Sequence, residues 1–178
     1  MQHGNRLPIV GVIGSGRKSN QQLAEEVGRL IASLGAHLLT GGGQGVMSAV
    51  SEAFANVENR KGLVIGVLPC RKIDPARPKP GYPNRWIEVA IPTHLPLSGA
   101  QGIEPMSRNH INVLASQSIV ALPGGSGTSC EAALAVQYKR PIIAYLGARG
   151  VIPNLDSTVI RAESIGDVDR FLKENLNS

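Results

Sequence analysis

The chain has 178 residues, of which 42% are hydrophobic and 3% aromatic, and its 18 basic and 13 acidic side chains give a net charge of +5. This length predicts one domain over residues 1–178, and the hydrophobic fraction excludes a wholly disordered chain. The scarcity of aromatic rings argues against a stacking platform for single-stranded nucleic acid.

The amino-terminal segment, residues 1–6, is polar, and the apolar run at 7–13 ends at a glycine. That run is too short for a signal peptide or a membrane span, so we expect a cytoplasmic protein without a membrane partner. Cys70 and Cys130 are too few for a disulfide framework and lack metal-ligand spacing. We therefore predict neither a metal site nor a cofactor.

Short aliphatic runs alternate with helical patterns along the chain. The predicted strands are residues 9–13, 37–40, 63–68, 86–91, 118–122 and 142–145. The predicted helices are residues 20–34, 45–55, 107–115, 128–139 and 167–176. Continuous apolar runs are typical of strands buried on both faces. The alternation predicts a doubly wound, Rossmann-like α/β domain, whose mainly parallel sheet carries helices on both faces.

Three glycine-rich loops follow predicted strands, at residues 14–16, 41–45 and 123–128. The carboxyl ends of parallel strands meet at one edge of the sheet, where ligands bind in this class of fold. Free backbone N–H groups at a helix amino terminus bind anions without any basic side chain. The three loops together therefore favour phosphate binding, and Thr128 is expected to add a hydroxyl while capping its helix.

Two common nucleotide motifs fail in this sequence. The segment from Gly11 resembles a P-loop, but Arg17 stands where the lysine is required, which argues against kinase or ATPase chemistry. A dinucleotide fingerprint fails because Ser19 replaces its third glycine and because the second strand ends in Thr40 rather than an acid. There is also no Gly-x-Ser-x-Gly nucleophile elbow.

Two charged residues near the third loop are open to two interpretations each. Glu131 follows Thr128 by three residues, so it is either a capping-box partner or an acid that faces the ligand. Arg108 begins a predicted helix, where it pairs either with a phosphate or with a neighbouring acid. Spacing alone leaves both questions open.

The excess positive charge lies in residues 60–85, which hold seven basic side chains and one acid, Asp74. This segment is rich in proline, so it is either a solvated loop or an electropositive lip that attracts an anionic ligand. Nucleic acid is disfavoured as a partner because no predicted helix is dense in arginine or lysine.

Four motifs occur in one order along the chain: Gly41-Gly42-Gly43-Gln44-Gly45-Val46-Met47, Val64-Ile65-Gly66-Val67-Leu68-Pro69, Met106-x-Arg108 and Pro123-Gly124-Gly125-x-Gly127-Thr128-x-x-Glu131. This series resembles the LOG family of Rossmann-like proteins, which are often mislabelled as lysine decarboxylases. Active members of that family are phosphoribohydrolases, which cut the N-glycosidic bond of nucleoside 5′-monophosphates such as AMP or cytokinin ribotides. They are dimers or larger homo-oligomers without a redox cofactor.

The resemblance implies roles for particular residues. Glu131 would stabilise the cationic sugar, and Arg108 would position the nucleotide and assist the leaving base. The implied phosphate-binding residues are Gly124, Gly125, Ser126, Gly127 and Thr128. Further substrate-binding candidates are Gly14, Ser15, Gly42, Gly43, Met47, Asn109 and Asn112.

Two positions depart from the pattern of active family members. Asn109 replaces a lysine, and Ala132 stands where a second glutamate is usual. Both resemble a sister branch that includes molybdenum-cofactor carrier proteins, which bind a phosphorylated pterin with the same loops. The sequence therefore predicts a nucleoside-monophosphate phosphoribohydrolase or, alternatively, a non-catalytic binder or carrier of a phosphorylated heterocycle.

Overall fold

The computed structural model describes residues 6–176, so most of the predicted polar amino-terminal segment and the last two residues lie outside it. The one-domain span of residues 1–178 therefore stays a prediction. The strands are β1 (Ile9–Ile13), β2 (His37–Thr40), β3 (Val64–Leu68), β4 (Val89–Pro92), β5 (Ser118–Ala121), β6 (Ile142–Tyr145) and β7 (Ile160–Ala162). The α-helices are α1 (Gln21–Ser33), α2 (Val46–Ala55), α3 (Asn109–Ala115), α4 (Ser126–Gln137) and α5 (Ile165–Leu176).

All seven strands form one parallel sheet in the order β4-β3-β2-β1-β5-β6-β7. The order reverses at β1, which pairs with β2 on one side and with β5 on the other. Such a reversal leaves a crevice beyond the carboxyl ends of the central strands. The predicted doubly wound α/β fold is confirmed.

Two hydrophobic cores lie on opposite faces of the sheet. Helices α1, α2 and α5 cover one face, where Val120 of β5 packs in the same core as the fully buried Phe54. Helices α3 and α4 cover the other face, where Ile119 and Ala121 pack in the core that includes Leu134. The alternation along β5 follows from the two-residue period of a strand. Both faces being covered explains why the central strands are continuously apolar.

The two edge strands differ from the sequence prediction. The run at 86–91 was expected to be a strand buried on both faces, but β4 begins at Val89 and all four of its residues are exposed. This strand pairs with β3 alone, at the end of the sheet. At the other edge, the three-residue strand β7 was not predicted, because its Ile-Arg-Ala sequence has no apolar run. Within residues 6–176, no helix is long and apolar enough to cross a lipid bilayer.

Candidate functional site

A cavity of about 630 Å³ opens at the carboxyl ends of β1, β2 and β5. It lies where the strand order reverses, and its volume is within the range of small-molecule sites. All three glycine loops contribute to its wall, through residues 14–17, Gly41 and residues 125–128. The three loops thus meet at one edge of the sheet, as the sequence predicted, and phosphate binding by them stays a prediction.

Most of the predicted site residues line this cavity. The lining residues among them are Gly14, Ser15, Met47, Arg108, Asn109, Gly125, Ser126, Gly127, Thr128 and Glu131. Four others are absent from the wall: Gly42, Gly43, Asn112 and Gly124. Two of them, Asn112 and Gly124, contact residues of the wall from behind it.

The amino terminus of α4 supplies the anion-binding part of the wall. The first main-chain hydrogen bond of this helix runs from the Ser129 N–H to the Gly125 carbonyl, at 3.0 Å. The N–H groups of residues 126–128 therefore have no acceptor within the helix. Together with the positive end of the helix dipole, these donors form a site suited to a phosphate.

Thr128 was expected to cap its helix, and this expectation is wrong; its phosphate-binding role and that of Gly124 stay predictions. Helix α4 begins at Ser126, so Thr128 is its third residue, and no side chain caps the helix at Gly125. Thr128 is 3% exposed, and a Cβ on Gly124 would collide with its side chain. Gly124 is therefore required for close packing behind the loop.

Arg108 immediately precedes α3 and buries its guanidinium in the cavity wall. Its side chain is 5% exposed, and its Nη1 lies 3.4 Å from Asn109 Oδ1 and 4.0 Å from Glu131 Oε1. Its Nε has no hydrogen-bond partner among the described residues. A Cβ on Gly41 would lie 2.7 Å from Cζ of Arg108, so only a glycine leaves room for this guanidinium. A buried cation with so few partners favours an anion in the cavity.

Glu131 lies in the second turn of α4, which excludes the capping-box alternative. Its carboxylate accepts a hydrogen bond from Asn112 Nδ2 at 3.0 Å. Burial raises the pKa of Glu131, although the nearby Arg108 charge and the Asn112 hydrogen bond oppose that shift. Asn112 thus orients the carboxylate from behind the wall.

The irregular segment between β3 and β4 closes one side of the cavity. Tyr82 lines the wall, a contribution that the sequence analysis missed. Lys79 donates a hydrogen bond to Oγ of Ser98, which also lines the wall, at 3.2 Å. Burial and repulsion by Arg108 lower the pKa of Lys79. Lys79 thus lies beside the cavity, where the electropositive-lip alternative would place it, and that alternative stays a prediction.

Two other basic residues of the same segment have acidic partners outside the cavity. Arg60 lies 2.7 Å from the Glu88 carboxylate, and Arg77 lies 3.3 Å from Asp74. The solvated-loop alternative thus describes Arg77, whereas Arg60 joins the start of β3 to the segment before β4. In the part of the chain that the structure describes, no cluster of three or more histidine, cysteine, aspartate or glutamate side chains could hold a metal ion.

The fold and the site define a Rossmann-like protein with a cavity suited to phosphorylated ligands. The model of the SLOG cluster4 family matches residues 7–170, and the chain belongs to this family. The predicted resemblance to LOG proteins is confirmed only for the broader SLOG grouping. Membership of the LOG family itself stays a prediction.

Proteins similar to this chain include the following three. An uncharacterized protein from Archaeoglobus fulgidus is 32% identical over 134 residues, which are 74% of this chain and 76% of the relative. The molybdenum cofactor binding protein of Rippkaea orientalis is 29% identical, with a TM-score of 0.72 over 96% of this chain and 98% of that one. The molybdenum cofactor carrier protein of Chlamydomonas reinhardtii is 28% identical, with a TM-score of 0.72 over 97% and 100%.

Proposed function

We propose that the cavity binds a phosphorylated heterocycle and that the chain is a carrier for a ligand of the molybdenum-cofactor type. One observation carries the proposal: the buried guanidinium of Arg108 faces the same cavity as the free N–H groups at the start of α4. Two features that attract anions thus share one space. The likeness to two molybdenum-cofactor proteins over nearly the whole chain supports this ligand class.

The wall offers a complementary group for each part of such a ligand. The phosphate would bind the N–H groups of residues 126–128, as anions do at helix amino termini. The carboxylate of Glu131 and the amide of Asn109 would bind the polar edge of the pterin. A carboxylate accepts hydrogen bonds from N–H groups, and an amide both donates and accepts hydrogen bonds. Arg108 and Lys79 would offset the remaining negative charge of the ligand.

A transfer experiment tests the carrier function. Molybdenum cofactor released from a donor protein is mixed with this chain without oxygen, and bound molybdenum and pterin are measured after gel filtration. We expect both to remain with the chain in equal amounts, and Arg108→Met to retain neither. Arg161→Met is the matched control, because Arg161 is exposed on β7 and lines neither this cavity nor its neighbours. Elution of all the pterin separately from the wild-type chain would contradict the proposal.

A second candidate function is hydrolysis of a nucleoside 5′-monophosphate, and the position of Glu131 favours it. Its carboxylate lines the cavity one turn beyond the anion-binding end of α4, where it can stabilise an oxocarbenium-like sugar. Ala132, which stands where a second glutamate is usual, is 2% exposed and packs in the hydrophobic core, so Glu131 would have to act without a second carboxylate from this position.

Chromatography after incubation with AMP and with a cytokinin ribotide distinguishes the two functions. A hydrolase releases free base and ribose 5-phosphate, and Glu131→Gln should slow the release by ~10²-fold. Intact nucleotides after long incubation at high protein concentration would reject hydrolysis of these two substrates and leave the carrier.

We further propose that the protein forms a homodimer or a larger homo-oligomer, acts in the cytoplasm and has no nucleic-acid partner. Exposed apolar side chains on and before α3 support self-association, among them Ile111 at 37% and Leu114 at 45% exposure. Light scattering after gel filtration tests the oligomeric state. We expect at least a dimer, and we expect Leu114→Glu to shift the measured mass toward that of the monomer. A monomeric wild type would contradict it.

A further inference from the structure

A second cavity, of about 340 Å³, adjoins the first one at the carboxyl ends of β1, β5 and β6. Both cavities are lined by Ser15, Arg17 and Gly125, so they meet on either side of the same loops. A Cβ placed on Gly125 would meet no atom within 4 Å, which leaves the space beside this glycine open. A ligand held at the start of α4 therefore has a second space within reach.

Main-chain and side-chain hydrogen bonds fix the walls of this second cavity. The carbonyl of Pro123 accepts hydrogen bonds from the Ser15 N–H and from Nδ2 of Asn20, both at 3.1 Å. On the opposite side, the Gly124 N–H donates to the carbonyl of Val151 at 3.1 Å. Three loops from three neighbouring strands are thus tied together around the cavity.

The charge of the second cavity has one sign. Its lining includes three cations, Arg17, Lys18 and Arg149, and no acidic side chain. Oγ of Ser15 accepts hydrogen bonds from the main-chain N–H groups of Arg17 and Lys18, at 3.1 and 2.9 Å, which holds these two residues in place. A cavity lined by cations alone concentrates anionic groups. The failed P-loop motif of the sequence thus contributes two cations, Arg17 and Lys18, to this cavity.

We propose that the second cavity binds a further phosphate of the ligand, so that the chain recognises a diphosphate-linked compound. This inference rests on the proposed function for the placement of the first phosphate at the start of α4. The next phosphate would pass Gly125 and bind Lys18 and Arg149, with Arg17 between the two subsites. The ligand class is therefore a heterocycle with a diphosphate, either terminal or linked to a second nucleoside.

Calorimetric titration of the full chain with AMP and ADP tests the second subsite. We expect ADP to bind at least about tenfold more tightly than AMP, because the second phosphate gains charge-assisted hydrogen bonds. In Lys18→Ala/Arg149→Ala this advantage should fall below about twofold, while the affinity for AMP stays as in the wild type. The matched control Lys139→Ala/Arg161→Ala removes the same charge from exposed positions outside both cavities. It should keep the full advantage of ADP.

The outcomes separate this inference from the proposed function. Equal affinities for AMP and ADP, or an ADP advantage that survives in Lys18→Ala/Arg149→Ala, would overturn the inference and leave the first site intact. Tight binding of inorganic pyrophosphate that depends on Lys18 and Arg149, without any binding of AMP or of a phosphorylated pterin, would support the second subsite and contradict the proposed function. Titration with a dinucleoside diphosphate then distinguishes the ligand sources: tighter binding than ADP indicates a linked second nucleoside, and weaker binding indicates a terminal diphosphate.

Discussion

The guanidinium of Arg108 and the carboxylate of Glu131 lie 4.0 Å apart in one cavity, and both side chains are largely buried. This separation exceeds the 2.7–2.9 Å typical of a charge-assisted hydrogen bond. Each group therefore keeps hydrogen-bonding capacity that a ligand can use. The arrangement of the guanidinium and the carboxylate leaves both able to bind one ligand in the cavity.

Replacing Arg108 by methionine should weaken the binding of a phosphorylated ligand by ~10²-fold, because the negative charge of the ligand then lacks the buried cation that offsets it. The Arg108 charge also opposes the rise in the pKa of Glu131, so the variant leaves a buried carboxylate without that cation and should have a lower melting temperature at pH 7. Titration with AMP and thermal unfolding of the same variant measure both effects. An unchanged dissociation constant would remove Arg108 from the site.

The raised pKa of Glu131 makes stability depend on pH in a defined direction. Between the ordinary glutamate pKa of 4.5 and the higher pKa in the folded state, the unfolded chain binds fewer protons, so stability falls as pH rises. Glu131→Gln keeps an acceptor for Asn112 and removes the buried charge. We expect this variant to match the wild type at pH 4 and to melt at a higher temperature at pH 8. A lower melting temperature at pH 8 would contradict the sign.

The opposite sign is expected for Glu88. Burial raises its pKa, but hydrogen bonds from Arg60 and from the Val64 N–H outweigh this effect and lower the pKa overall. Its stabilising contribution is therefore present above the ordinary carboxyl pKa and is lost as pH falls through the lower folded value. Glu88→Gln should lower the melting temperature at pH 7, and the difference from the wild type should shrink at acidic pH. The exposed Glu163 gives the control, Glu163→Gln, for which no such pattern is expected.

Glycine at position 41 should be required by the guanidinium behind it. Gly41→Ala places a Cβ 2.7 Å from Cζ of Arg108, so the guanidinium has to move. We expect affinity for AMP to fall toward that of Arg108→Met. Gly16→Ala is the control within the same cavity, because its Cβ meets only Cε of Met47, at 3.7 Å. Equal affinities of the two alanine variants would show that Arg108 tolerates the displacement.

Much of the sheet could be predicted because its central strands are buried on both faces and therefore consist of continuous aliphatic residues. The edges were less predictable, since β4 and β7 have a neighbour on one side only and need no such run. The segment at 86–91 was predicted as a strand over its whole length because it is mostly apolar. The strand begins only at Val89, and Trp86 lies in a turn, where its N–H donates a hydrogen bond to Oδ1 of Asn84.

The candidate site was predictable where it depends on glycine loops at strand ends. Arg108 and Glu131 were identified as candidates, but their surroundings required the fold, because Asn112 reaches Glu131 from another helix. Tyr82 and Ser98 were missed because they belong to long irregular segments without a periodic pattern. The second basic cavity also depends on β6 lying beside β5, which spacing alone does not specify.

The phosphate dependence of binding tests the central claim most directly. The measurement is an oxygen-free titration of the wild-type chain with a phosphorylated pterin and with the same pterin after removal of its phosphate. In the proposed complex the phosphate accepts hydrogen bonds from the N–H groups of residues 126–128, so we predict that the phosphorylated form binds more tightly by ~10²-fold or more. Equal affinities for the two forms would contradict the account.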